Sequence, residues 1–448
     1  MNKSLSKIIL SSILGLSSIA PISAFATHYV LTQVTYSTNY EETILDSINS
    51  DTMYSNISLL SKTPRVAGTF QEDVAVTFIK KQFESYGYET ELQSFTFKDY
   101  TAPHTIELSV DHMTKKIRPL ALEYAVDGDV SGEVIDAGLG RVHELQDLDL
   151  TGKIALLKRG EISFVDKVKN VAAKGALGVI IYNHEPGNIG GSLGSLQPTS
   201  IPAVFLTKVD GETLVNHFKS SPNSKTSIKI NGAKIGTNTS HNVIATKKPI
   251  RHKKENKKVN DILIISSHHD SVAAAPGAND NASGTSITLE LARVLKTIPT
   301  ETEIRFITFG AEEVGLVGSA HYVEQLPDEE ISRIVANFNL DMVGSKDAGD
   351  LILQTIDKKS NLVTELAQAA STKLNGKPTP YNQGDSSDHV SFANAGIPAA
   401  LFIHNPAEPW YHTADDTIDK ISKAKLQDVA EIVSLSVWNQ IRIDQQEK

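Results

Sequence analysis

Apolar positions recur at helical spacing through residues 43–88, as at Val74, Val76, Phe78, Ile79 and Phe83, and Gly87 marks the stop of the last helix. Residues 90–97 then alternate like a strand. Near Ile117 the texture changes to short strands punctuated by glycine, including Gly132-Glu133-Val134-Ile135 and Gly152-Lys153-Ile154-Ala155-Leu156-Leu157. A helix over 164–174, a strand over 179–182, a Gly/Ser-rich loop over 187–195 and the run Ile201-Pro202-Ala203-Val204-Phe205-Leu206 follow. From Asn242 onward the pattern becomes strand, loop, helix, strand. Strands are expected at 242–246, 262–266, 304–309, 335–340 and 399–403, with helices at 285–296 and 426–443. Such alternation predicts an α/β, doubly wound, mostly parallel sheet with helices on both faces.

The first residues read differently. Lys3 and Lys7 precede an uncharged apolar run from Ile8 to Ile22, and Ala24-Phe25-Ala26 suits signal-peptidase cleavage. The run is shorter than the roughly 20 residues a spanning helix needs, and it contains Pro21. Residues 1–26 are therefore expected to be a signal peptide, leaving a secreted, extracellular chain with no stable membrane anchor. Their removal takes away two lysines and no acid, so the formal charge goes from −10 to −12. That acidity argues against nucleic acid as a partner. With no cysteine there is no disulfide framework, so stability rests on buried cores or bound ions. The run Lys247, Lys248, Arg251, Lys253, Lys254, Lys257 and Lys258 between two strands reads as a solvated hairpin tip.

Five residues of metal-ligand type, His268, Asp280, Glu313, Asp341 and His412, lie just beyond apolar runs. Each has a simpler reading alone: a histidine as an ordinary hydrogen-bonded residue, Glu312-Glu313 as exposed charge, Asp280 as a helix N-cap. Together they are harder to dismiss. In an open parallel sheet the carboxyl ends of the strands gather loops and helix N-termini at one edge. Acids placed there need a neutralising cation. Two zinc ions bring four positive charges, which Asp280, Glu313, Asp341 and one hydroxide would cancel, and Asp280 is the natural bridge. Imidazole and carboxylate without thiol is a donor set suited to hydrolytic zinc.

The residues that carry this chemistry form motifs: His268-His269-Asp270-Ser271, Gly277-Ala278-Asn279-Asp280-Asn281-Ala282-Ser283-Gly284, Ala311-Glu312-Glu313-Val314-Gly315-Leu316-Val317-Gly318-Ser319, Asn339-Leu340-Asp341-Met342 and Tyr411-His412-Thr413. In this order they resemble the M28 family of di-zinc aminopeptidases, over about residues 40–115 and 238–445. Residues 117–235 resemble a protease-associated (PA) domain, a β-rich insert. The domains expected are thus a discontinuous peptidase domain over 27–116 and 236–448, and a PA domain over 117–235. The resemblance implies one zinc on His268, Asp280 and Asp341 and a second on Asp280, Glu313 and His412. It implies Glu312 as general base, Asp270 as the residue orienting His268, and Tyr411 as a donor to the oxyanion. Asp388, His389 and His404 are expected to be structural or to line the cleft. The expected activity is removal of N-terminal residues from peptides by a secreted monomer. A metallocarboxypeptidase of the same fold and a non-catalytic binding homologue are the alternatives.

Overall fold

The computed structural model of the protein describes residues 40–187, 191–193, 201–250 and 261–441. The expected signal segment, the cations from Arg251 to Lys258, part of the Gly/Ser-rich loop and residues 442–443 of the last helix lie outside the described residues.

Along the chain the strands are β1 (Glu89–Thr101), β2 (Thr105–Val110), β3 (Leu120–Ala121), β4 (Gly128–Asp136), β5 (Ile154–Lys158), β6 (Gly178–Tyr182), β7 (Ala203–Leu206), β8 (Lys225–Asn231), β9 (Lys234–Lys247), β10 (Ile262–His268), β11 (Glu303–Phe309), β12 (Ile334–Leu340), β13 (Asp350–Thr355), β14 (Tyr381–Gln383) and β15 (Ala399–Asn405). They form an eight-stranded sheet in the order β1-β9-β11-β10-β12-β15-β13-β14 and a seven-stranded sheet in the order β2-β8-β4-β5-β6-β7-β3.

In the large sheet, β11, β10, β12 and β15 run parallel, β1 and β9 form an antiparallel flank, and β13 is antiparallel to β15. The sheet is mixed, with a parallel centre. Strand side chains alternate between faces, and the two cores follow that alternation. Leu263, Ile265, Ile304 and Phe306 pack with the helices Ser50–Leu60, Phe70–Ser85, Ala282–Leu295 and Lys423–Ile441. Ile262, Ile264, Ile307 and Phe309 face the opposite way, toward Tyr322 and Phe392 of the helices Val317–Glu324 and His389–Asn394. Helices therefore cover both faces, as the alternation predicts.

The expected hairpin between β9 and β10 does not form, because β11 lies between them. Lys247, read as a solvated cation, instead donates from Nζ to the carbonyls of Leu295, Lys296 and Ile298 at 2.5, 2.9 and 2.6 Å. It thereby satisfies carbonyls left open at the end of helix Ala282–Leu295. Burial pushes its ammonium down to about 8.

The smaller sheet has its own core, with Ile154–Lys158 and Gly178–Tyr182 among its buried strands. It begins at Thr105, upstream of residue 117, where the insert was expected to start. The two sheets are joined by one ribbon: β1 and β9 pair up to Thr101 opposite Lys234, and pairing resumes at Thr105 opposite Asn231 in β2 and β8.

Phe306 is fully buried, with ring centroids 6.4 Å from Phe83 and 5.4 Å from Tyr88. Phe306→Ala is expected to destabilise the large sheet by about 3–5 kcal/mol, measured by denaturant unfolding. A loss under about 1 kcal/mol would contradict this packing.

Candidate metal centre

The strand order reverses about β10, whose neighbours β11 and β12 lie on opposite sides, and a reversal of this kind opens a crevice at the carboxyl ends of the strands. His268 is the last residue of β10, Glu312 and Glu313 follow β11, and Asp341 follows β12. His412 comes from the loop after β15, and Asp280 from the loop after β10.

These side chains converge. His268 Nε2 lies 3.3 Å from Asp280 Oδ1 and 3.2 Å from Asp341 Oδ1. His412 Nε2 lies 3.1 Å from Asp280 Oδ2 and 3.1 Å from Glu313 Oε2. Asp280 thus turns one oxygen to each histidine. The groups His268, Asp280, Asp341 and Asp280, Glu313, His412 each bring three ligand atoms within 4.8 Å of one another, as does the overlapping group His268, Glu312, Glu313. A tetrahedral ion with bonds of about 2.0–2.1 Å keeps its ligands about 3.3–3.4 Å apart, close to these separations.

The electrostatics fit a cation. Asp270, Asp280, Glu312 and Asp341 are buried, and no Lys or Arg makes an ion pair with them among the described residues. The carboxylates of Asp280 and Glu313, each 3.1 Å away, push His412 up to about 10. Burial opposes protonation of His268, yet Glu312 and Asp341 hold it well above its usual range. Burial, reinforced by Asp280, pushes Glu313 up to about 7, and burial raises Glu312 well above the carboxylate range. Despite its short contacts, His412 Nε2 has no partner in hydrogen-bond geometry, and neither has the buried Glu313 Oε1.

Around this cluster a second set of residues fixes the loops. Asp270 lies 3.5 Å from His268 Nδ1, and its two oxygens accept the N–H groups of Glu312 and Glu313, each at 3.2 Å. It holds the glutamate pair through those N–H groups, while His268 Nδ1 lies near it without a hydrogen bond. Asp416 accepts from the N–H groups of Asn279 and Asp280 at 2.8 and 3.0 Å. Ser387 donates to Asp341 Oδ2 at 2.8 Å. The helix N-cap is Asn281, whose Oδ1 accepts from Gly284 N–H at 2.8 Å, so Asp280 is released from capping.

Arg65, with 1% exposure, donates to the carbonyls of His269, Leu60, Pro276 and Gly277. Gly277 takes a φ of +67°, and a Cβ there would meet Asp280 O at 2.3 Å. Ala311 beside Glu312, Met342 beside Asp341 and His412 itself also have positive φ (55°, 54° and 58°). Such backbone costs roughly 1–3 kcal/mol per residue and persists where surrounding structure enforces it.

Tyr411 is 45% exposed and stacks on His412 with centroids 3.8 Å apart. Burial and then Asp280, Glu313, Asp341 and Glu312 raise its phenol pKa, so it stays a proton donor. His389 is buried with Nε2 3.0 Å from Gly384 O, while Asp388 and His404 are also buried, and none of the three belongs to a ligand group.

The family model for Peptidase family M28 matches residues 242–437, and that for the PA domain matches residues 122–214. Aminopeptidase YwaD of Bacillus subtilis is 38% identical over 414 residues, covering 88% of this chain and 86% of its own length. The chain belongs to peptidase family M28. Among solved structures, an aminopeptidase from Aneurinibacillus sp. strain AM-1 aligns with a TM-score of 0.83 at 50% identity, covering 91% of this chain and 97% of that one. BSAP, a zinc aminopeptidase from Bacillus subtilis, aligns at 0.68 and 37% identity, covering 90% and 97%.

For this M28 peptidase, Asp270→Asn would set an amide N–H2 against a backbone N–H and displace the glutamate pair. Metal affinity, read by chelator competition, is expected to fall about 10–100-fold. Unchanged affinity would contradict the role given to Asp270.

Proposed function

We propose that this M28 peptidase is a secreted aminopeptidase that works with two zinc ions and removes N-terminal residues from peptides. The observation that carries this reading is the Asp280 carboxylate, whose two oxygens reach two separate histidine clusters. His268, Asp280 and Asp341 would hold one ion, and Asp280, Glu313 and His412 the other. The bound ions supply a more acidic water and a polarised carbonyl. The relatives' names and the zinc named for BSAP support the activity and the metal. The apolar run before Ala26 supports secretion, and no helix among the described residues is long and apolar enough to cross a membrane.

Glu312 lies 3.8 Å from His268 Nε2 and is absent from the two groups that share Asp280. Its carboxylate is buried beside the ligand cluster without being needed by either group, the position a general base requires. It takes a proton from the attacking water and delivers it to the departing amine. The Tyr411 hydroxyl, protonated throughout, donates a hydrogen bond to the oxyanion as the carbonyl becomes tetrahedral. Asp270 keeps Glu312 and Glu313 in register through their N–H groups. The free α-amine is received by carboxylate, and the candidates are Glu312 and the outer oxygen of Asp341.

Glu312→Gln is expected to keep zinc by elemental analysis while turnover of aminoacyl p-nitroanilides falls roughly 10²–10⁴-fold. Full activity in that variant would remove Glu312 as the base. His268→Ala is expected to lose metal in the same analysis. A chelator should abolish hydrolysis by the purified protein, and added zinc should restore it. Cleavage of N-blocked peptides with no action on aminoacyl p-nitroanilides would assign a carboxypeptidase, and stoichiometric zinc without hydrolysis a binding protein.

A further inference from the structure

β2 is the terminal strand of the smaller sheet and pairs on one side only, with β8. Among the described residues, its other side carries one backbone hydrogen bond, from Met113 N–H to Val110 C=O. A cavity of about 900 Å³ runs beside it and touches every residue from His104 to Val110, together with Met113 to Pro119. Consecutive residues of a strand point to opposite faces. A space that meets all of them therefore lies along the strand's edge, not against one face. Unpaired backbone groups of this kind are a template for another strand.

The far wall of the slot is cationic. Lys115, Lys116 and Arg118 are exposed there. Lys115 is engaged with Asp210 and Thr213, whereas Lys116 and Arg118 appear in no ion pair among the described residues. Glu107, the acid within β2, sits opposite Lys229 in the β8 register. On a chain with net charge −10, a cationic wall facing an open strand edge is a local reversal of sign.

We propose that this slot binds an extended acidic peptide chain, which adds as a strand to the edge of β2 while its carboxylates meet Lys116 and Arg118. Backbone pairing supplies affinity without regard to sequence, and the two cations select acidic chains. A second copy of this protein is the less suitable occupant, because its β2 would bring one acid, Glu107, to the two cations.

The test uses the full chain and a fluorescein-labelled, N-acetylated octapeptide of alternating valine and glutamate, titrated by anisotropy. Saturable binding is expected, at least tenfold weaker for the alternating valine–lysine peptide and for the double variant Lys116→Glu, Arg118→Glu. N-methylation of alternate peptide amides should abolish it. Hydrolysis of leucine p-nitroanilide should be unchanged in the double variant, which also checks its folding. Absent binding, equal binding of both peptides, indifference to the charge reversal, or full binding of the N-methylated peptide would overturn the proposal. So would a concentration-dependent dimer in light scattering that the acidic peptide fails to dissociate.

Discussion

An excess of buried negative charge at the carboxyl ends of the central strands governs this molecule. Five carboxylates, Asp270, Asp280, Glu312, Glu313 and Asp341, surround two imidazoles. Carboxylates withdrawn from water cost several kcal/mol each unless compensated. The fold compensates in layers. Backbone N–H groups go to Asp270 and Asp416, the Ser387 hydroxyl goes to Asp341, and the Arg65 guanidinium lies beneath the loops. What those layers leave over is negative charge of the kind a divalent cation neutralises.

Arg65 shows how the burden is distributed. Burial pushes it down to about 10, against the opposing pull of Asp270, Asp416, Asp280 and Glu313. It still carries its charge at neutral pH. Its hydrogen bonds go to carbonyls rather than to the carboxylates, so it steadies the loop bearing Asp280 without occupying the carboxylate oxygens. Asn279 works similarly, donating to Glu408 and accepting from the N–H groups of Gly344 and Ser345. The loop after β10 is thereby tied to the loop after β12.

Much of the parallel centre was legible because its strands are short apolar runs and their ends carry chemically distinctive residues. His268, Asp280, Glu313, Asp341 and His412 could be singled out from strand ends, although the placing of each on an ion came from the resemblance. The antiparallel parts were less visible. β13, β14 and the helix Leu362–Asn375 were not read, since β13 has the mixed run Asp350-Leu351-Ile352-Leu353-Gln354-Thr355 and β14 only three residues. The hairpin expected from β9 to β10 failed because adjacency in sequence does not reveal a strand inserted between. Asp416 and Arg65 escaped for another reason: they act through backbone groups from distant positions, and Asp and Arg in such places look like ordinary exposed charges until the chain is folded.

The paired ribbon that runs from β1 and β9 into β2 and β8 has a mechanical meaning. Two modules joined by single-stranded linkers swing about free torsions, but these are joined by two segments cross-braced to each other on both sides of residues 102–104 and 232–233. Bending such a beam strains both strands together, so the softest relative motion is a twist about its long axis, and a load applied at the smaller sheet is delivered to the flank of the larger one.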